Sequence, residues 1–139
     1  MKKLISASSL LIAMTFSTPS LAGDSCPDLS GVWQRPKPDG FTVFLETTKE
    51  NEVCKTVSTK ADTKGFHHKL VGVWNSKKNW YRLTVSRKNK VDGCETEMYG
   101  RIKPSDDTEN QFTLAIYGSD GNCELPHNYR ESNTFYKIE

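Results

Sequence analysis

From residue 31 onward the chain alternates apolar and polar positions with a period of two, and no segment carries a convincing stripe at helical spacing. The cleanest run is Trp80-Tyr81-Arg82-Leu83-Thr84-Val85-Ser86. As a strand it puts Tyr81, Leu83 and Val85 on one face and Trp80, Arg82, Thr84 and Ser86 on the other. The stretch 111–117 sets Phe112, Leu114 and Ile116 against Thr113, Ala115 and Tyr117 in the same way. Runs of this kind, bounded by turn residues, predict eight strands at 31–35, 41–48, 52–59, 70–75, 80–88, 94–103, 111–117 and 133–138. Residues 36–40 and 104–110 read as turns, 60–69 as a loose stretch holding His67-His68, and 118–131 as a long irregular return. The expected fold is all-β: a single eight-stranded antiparallel meander, closed into a barrel because closure removes unpaired edges.

One internal echo bears on this architecture. Leu29-Ser30-Gly31-Val32-Trp33-Gln34 returns as Leu70-Val71-Gly72-Val73-Trp74-Asn75, shifted by 41 residues. Trp33 is followed 21 positions later by Cys54-Lys55-Thr56, and Trp74 is followed 20 positions later by Cys94-Glu95-Thr96. A three-strand unit used twice, plus a closing hairpin, accounts for the pattern. Glycine lets a neighbour approach the backbone, and tryptophan plugs one end of a barrel. Common descent of the two units and independent convergence both remain open.

The start of the chain stands apart from this pattern. Met1-Lys2-Lys3, an apolar run from Leu4 to Phe16 and the small residues of Ser20-Leu21-Ala22 form an export signal, with cleavage expected after Ala22. The apolar run is too short for a membrane span, so no span is expected. Residues 23–139 then make one β-barrel domain, and the lysine-rich leader suits a bacterial periplasm or the external medium. Without Lys2 and Lys3, 17 basic residues face 17 acidic ones, which argues against a nucleic-acid partner. The balance is uneven, because 63–91 holds Lys64, Lys69, Lys77, Lys78, Arg82, Arg87, Lys88 and Lys90 and no acid. Four cysteines in an exported small domain read as two disulfides. Hairpins about 36–40 and 104–110 bring Cys26 beside Cys54 and Cys94 beside Cys123.

Leu29-Ser30-Gly31-Val32-Trp33, at the head of an eight-strand reading, resembles the Gly-x-Trp signature of the calycins, the group that includes lipocalins. The resemblance implies a ligand-carrying barrel with Trp33 at its closed end, covered by a cation from the last strand, either Arg130 or Lys137. A second lipocalin motif of the Thr-Asp-Tyr kind is missing.

Candidate chemistry changes this picture little. His67-His68 would point to opposite faces of a strand and reads as a solvated loop pair, so no metal and no cofactor are expected. No Gly-x-Ser-x-Gly and no phosphate loop occurs, and the cysteines are expected to be oxidised, so an enzyme is not expected. The first function expected is carriage or sensing of a small apolar ligand inside the barrel. Its lining would come from Trp33, Val43, Leu45, Trp74 and Tyr81, together with Leu83, Val85, Phe112, Leu114 and Ile116. The alternative is an interaction or inhibitor module. There Lys77, Lys78, Trp80, Arg82 and Lys88 of the basic 63–91 surface would meet an acidic protein or an envelope component.

Overall fold

Tyr81, Leu83 and Val85 are all buried, as the alternation in their strand requires. The computed structural model describes residues 26–36 and 40–139, and each expected strand is present in it. The strands are β1 Gly31–Gln34, β2 Thr42–Glu50, β3 Val53–Lys60, β4 Phe66–Asn75, β5 Trp80–Asn89, β6 Glu95–Pro104, β7 Gln111–Ser119 and β8 Glu131–Lys137. Sequence neighbours pair antiparallel throughout, and β8 returns to β1 through Trp33↔Lys137 and Gln34↔Tyr136, which closes the barrel. The only helical element among the described residues is a 3₁₀ turn at Asn122–Glu124. The expected export signal at 1–22 and the middle of the 36–40 turn lie outside the described residues.

The fourth strand is longer than its sequence suggests. It begins at Phe66 instead of residue 70 and takes in His67 and His68, which pair with Lys88 and Arg87 of β5. The expected solvated loop pair is therefore corrected. Both histidines are strand residues on opposite faces, and His68 is half-buried on the inner one. Phe66-His67-His68-Lys69 hides its alternation because one of its two inward members, His68, is polar.

Strand direction gives the barrel two unlike ends. At one end lie the starts of β1, β3, β5 and β7, and this end is packed solid. Trp33 and Tyr81 are 1% and 0% exposed, and Phe112, Ile102, Leu83 and Val43 are as deeply buried. The Phe112 ring lies 4.6 Å from Trp33 and 5.2 Å from Phe135 between centroids. Residues 26–30 tie onto this end. The Tyr81 hydroxyl donates to the Pro27 carbonyl at 2.6 Å, and the Trp33 indole N–H donates to the Leu29 carbonyl at 2.9 Å. Disulfide Cys26–Cys54 fastens the same segment to β3. Disulfide Cys94–Cys123 fastens the loop after β7 to the start of β6 at the other end. Both pairings are those the hairpin geometry predicted, and each cross-link contributes ~2–4 kcal/mol.

The two Gly-Val-Trp units occupy β1–β3 and β4–β6, with β7 and β8 as the closing pair. Three strands per unit make the second unit run opposite to the first, because direction reverses at every turn of a meander. Trp33 and Trp74 still share inward parity near the packed end, but their neighbours differ. Trp33 is deep in the core, whereas Trp74 is half-buried against Tyr81, with ring centroids 5.0 Å apart. The glycines differ too. Gly31 has φ of 139°, and a Cβ there would strike the Glu139 carbonyl and the Lys137 side chain. Gly72 admits Tyr81, whose Cβ would lie 3.1 Å from an added Cβ.

Candidate functional site

The opposite end of the barrel is not filled. A cavity of about 400 Å³ opens there, within the range of small-molecule sites. Its floor is apolar and comes from inward positions of successive strands: Leu70 on β4, Val85 on β5, Met98 on β6, Leu114 and Ile116 on β7, and Phe135 on β8. Its rim is polar. Arg35, Thr63, Lys64, His68, Arg87, Tyr129, Glu131 and Asn133 all border it, beside the rings of Phe41 and Phe66.

Two loops shape the mouth. In the first, 61–65, Ala61 is buried and its carbonyl accepts the His68 backbone N–H at 3.1 Å. The Lys90 ammonium donates to the Thr63 carbonyl at 2.8 Å, and His67 pairs with Asp62 at 3.1 Å. The second is the return after β7, held by Cys94–Cys123 and by Ser119, whose hydroxyl donates to the Pro126 carbonyl at 2.7 Å. It delivers Tyr129 to the rim.

Glu131 organises the polar side. Its carboxylate accepts from Arg35 Nη1 at 3.1 Å, from Tyr129 Oη at 2.8 Å and from Asn133 Nδ2 at 2.6 Å. The Arg35 side chain is only 13% exposed, so a paired carboxylate offsets the desolvation of its charge. Its guanidinium also lies 5.2 Å from the Phe41 ring centre. Burial, reinforced by the bond to Glu131, pushes the Tyr129 phenol above its ordinary value. Arg87 stacks over Phe66 at 4.3 Å, and Lys64 is exposed. Three cations against one carboxylate leave the rim with a positive excess.

His68 brings an imidazole to the inner wall. Burial holds its imidazole below the usual histidine range, and nearby Arg87 adds to this, while the bond to the Ala61 carbonyl, Glu131 and Asp62 act the other way. A lowered folded pKa means that the unfolded chain takes up the proton first. Stability therefore rises with pH through this window and is lost as pH falls below the ordinary histidine value of 6.5. Denaturation midpoints at pH 7.5 and 5.5 check this directly. The wild type is expected to lose more stability between the two than His68→Gln does, and parallel losses would contradict it.

The residues expected to line a ligand site divide between the two ends. Val85, Leu114 and Ile116 border the cavity. Trp33, Val43, Leu45, Tyr81, Leu83 and Phe112 all point inward but are core packing, and none borders the cavity. Trp74 packs on that core and lines a separate groove with Lys77 and Arg82. Of the two cations considered for Trp33, Lys137 lies over its ring at 6.0 Å, whereas Arg130 is exposed and borders an outer groove beside Arg101. Sequence reading missed Arg35, His68, Arg87, Glu131 and Asn133. Strand parity was the available signal: Arg87 continues the inward set of Tyr81, Leu83 and Val85, and Asn133 shares its face with Phe135.

On the outer face, Arg82 and Lys88 are exposed strand residues with the parity of Trp80, and Lys77 and Lys78 are exposed in the adjoining turn. Trp80 is half-covered by the Arg101 guanidinium, 4.4 Å from its ring centre. Two disulfides fit an oxidising compartment. Among the described residues no helix is long and apolar enough to cross a membrane. Compared with family models, curated proteins and solved structures, the chain finds no match in any of the three.

Proposed function

We propose that this protein is exported to the periplasm or the medium and binds a small, mainly apolar molecule in the unfilled end of its barrel. The single observation that carries this function is the cavity itself, with its apolar floor, polar rim and a depth bounded by a packed opposite end. Burying apolar ligand surface there supplies ~25 cal/mol per Å² before the losses of association. The calycin-like Gly31-x-Trp33 start and the export leader lead the same way. Of the two disulfides, Cys94–Cys123 is at the end that holds the cavity, where it ties the loop after β7 to the start of β6. The positive excess at the rim favours a ligand whose polar or anionic end stays at the mouth.

Native mass spectrometry of the protein purified from secreting cells tests this function. A retained small molecule, released on denaturation, is the expected result. Protein that never carries or takes up such a molecule would overturn it.

An acidic partner protein or a phosphate-bearing envelope component is the second function, favoured by Trp80 under Arg101 beside exposed Arg82, Lys77 and Lys78. It would show as salt-sensitive binding lost in the double variant Trp80→Ala with Arg82→Ala.

A further inference from the structure

Arg87 is a half-buried cation at the cavity mouth with no anion paired to it. It follows Tyr81, Leu83 and Val85 on the inner face of β5 and borders the cavity. The Phe66 ring covers its guanidinium at 4.3 Å but supplies no oxygen to accept its N–H groups. Among the described residues no carboxylate, carbonyl or hydroxyl accepts from it. Glu131, the one carboxylate among the cavity residues, is already taken by Arg35, Tyr129 and Asn133. Asp92 and Glu124 share an adjoining groove with Arg87, yet neither pairs with it. A guanidinium drawn partly out of water with none of its five donors matched is destabilising. Packing does not seal it off. Its nitrogens stay accessible, so a ligand oxygen can reach them. Its charge is also felt by His68 and Tyr129, which border the same mouth. Lys64, the other rim cation without a partner, is exposed, and solvent screens it.

One step deeper on the same face the wall turns apolar. Val85 lies opposite Leu70 on one side and Met98 on the other. All three are buried and border the cavity. Two residues along a strand span roughly 7 Å, so a head at Arg87 and a body on this row fit one compact molecule.

We infer that Arg87 determines specificity: the bound molecule is a compact amphipathic anion whose oxygen-bearing head accepts from the Arg87 guanidinium, while its apolar body lies on Leu70, Val85 and Met98. This inference rests on the cavity being the binding site. It narrows the ligand from any mainly apolar molecule to one that carries a negative charge at one end. A planar fork of N–H donors suits a carboxylate, sulfonate or phosphate head, and a neutral molecule of the same shape would leave it unmatched.

The test uses two probes of nearly one shape that differ in charge. The disulfide-bonded protein is titrated calorimetrically with naphthalene-2-sulfonate and with naphthalene-2-sulfonamide at neutral pH. The sulfonate is expected to bind at least about tenfold more tightly, the worth of hydrogen bonds to a charged group. In Arg87→Gln the ratio is expected to fall to about one, and Arg87→Lys, which keeps the charge but not the fork, is expected to keep part of it. Equal affinities in the wild type overturn the inference while leaving the cavity as a site. A full preference that persists in Arg87→Gln places the anion at another cation and overturns it as well. Should Arg87→Gln fail to fold, Arg87→Met serves in its place, and the wild-type pair still decides. If neither probe binds the wild type, the inference falls. The reading of the cavity falls with it only where 2-naphthol also fails to bind and native mass spectrometry finds no occupant.

Discussion

Trp33→Ala is expected to destabilise the protein by about 3–5 kcal/mol and to lower its thermal midpoint by roughly 10–20 °C. The indole is 1% exposed and fills the centre of the packed end. Its removal leaves a cavity against Phe112, ends the hydrogen bond to Leu29 and strips the Lys137 stem of the ring it covers. The loss of the Leu29 bond also loosens residues 26–30 over that end. Trp74→Ala makes the informative comparison. The same residue type, at the same place in the repeated motif, is only half-buried and is expected to cost about 1–2 kcal/mol. Urea unfolding of both variants, with unchanged m values, gives the two numbers. Equal losses would mean that the motif builds two equivalent plugs, contrary to the geometry.

The double variant Val85→Phe with Ile116→Trp is expected to abolish binding of apolar probes, a loss of at least about a hundredfold in affinity. Both side chains border the cavity, Val85 from β5 and Ile116 from β7 with β6 between them, and enlarging them fills the volume a ligand needs. The added groups enter open space, so the overpacking penalty of about 1–3 kcal/mol for a close-packed core is the upper limit on lost stability. Trp80→Ala with Arg82→Ala provides the contrast. These side chains are on the outer face, and their removal is expected to leave probe binding unchanged. Calorimetric titration of 2-naphthol against all three proteins distinguishes the cavity from the outer surface. If the outer pair weakens binding and the inner pair does not, the functional surface is on the outside.

The barrel was legible because its alternation is strong where packing is tight. β5 and β7 each carry large apolar residues at three successive inward positions, and hydropathy alone assigns their faces there. The disulfides followed from hairpin register. The cavity was harder to see for a definite physical reason. Its wall is made where inward positions are polar: His68, Arg87, Glu131 and Asn133 occupy the parity that hydropathy reserves for the core. A pattern reader places such residues outside, or ends the strand at them, as with the start of β4 at Phe66. The same bias directs an apolar search to Trp33, Tyr81 and Phe112, which are the residues that fill the packed end.

The most direct test of ligand entry at one end is methyl NMR of the wild-type protein during titration with 2-naphthol. Methyl shifts are expected in Leu70, Val85, Met98, Leu114 and Ile116 at the unfilled end, with Val43 and Leu83 at the packed end unmoved. Shifts confined to the outer-face methyl groups of Val71 and Val73, or no shifts at all, would contradict a ligand site inside this barrel.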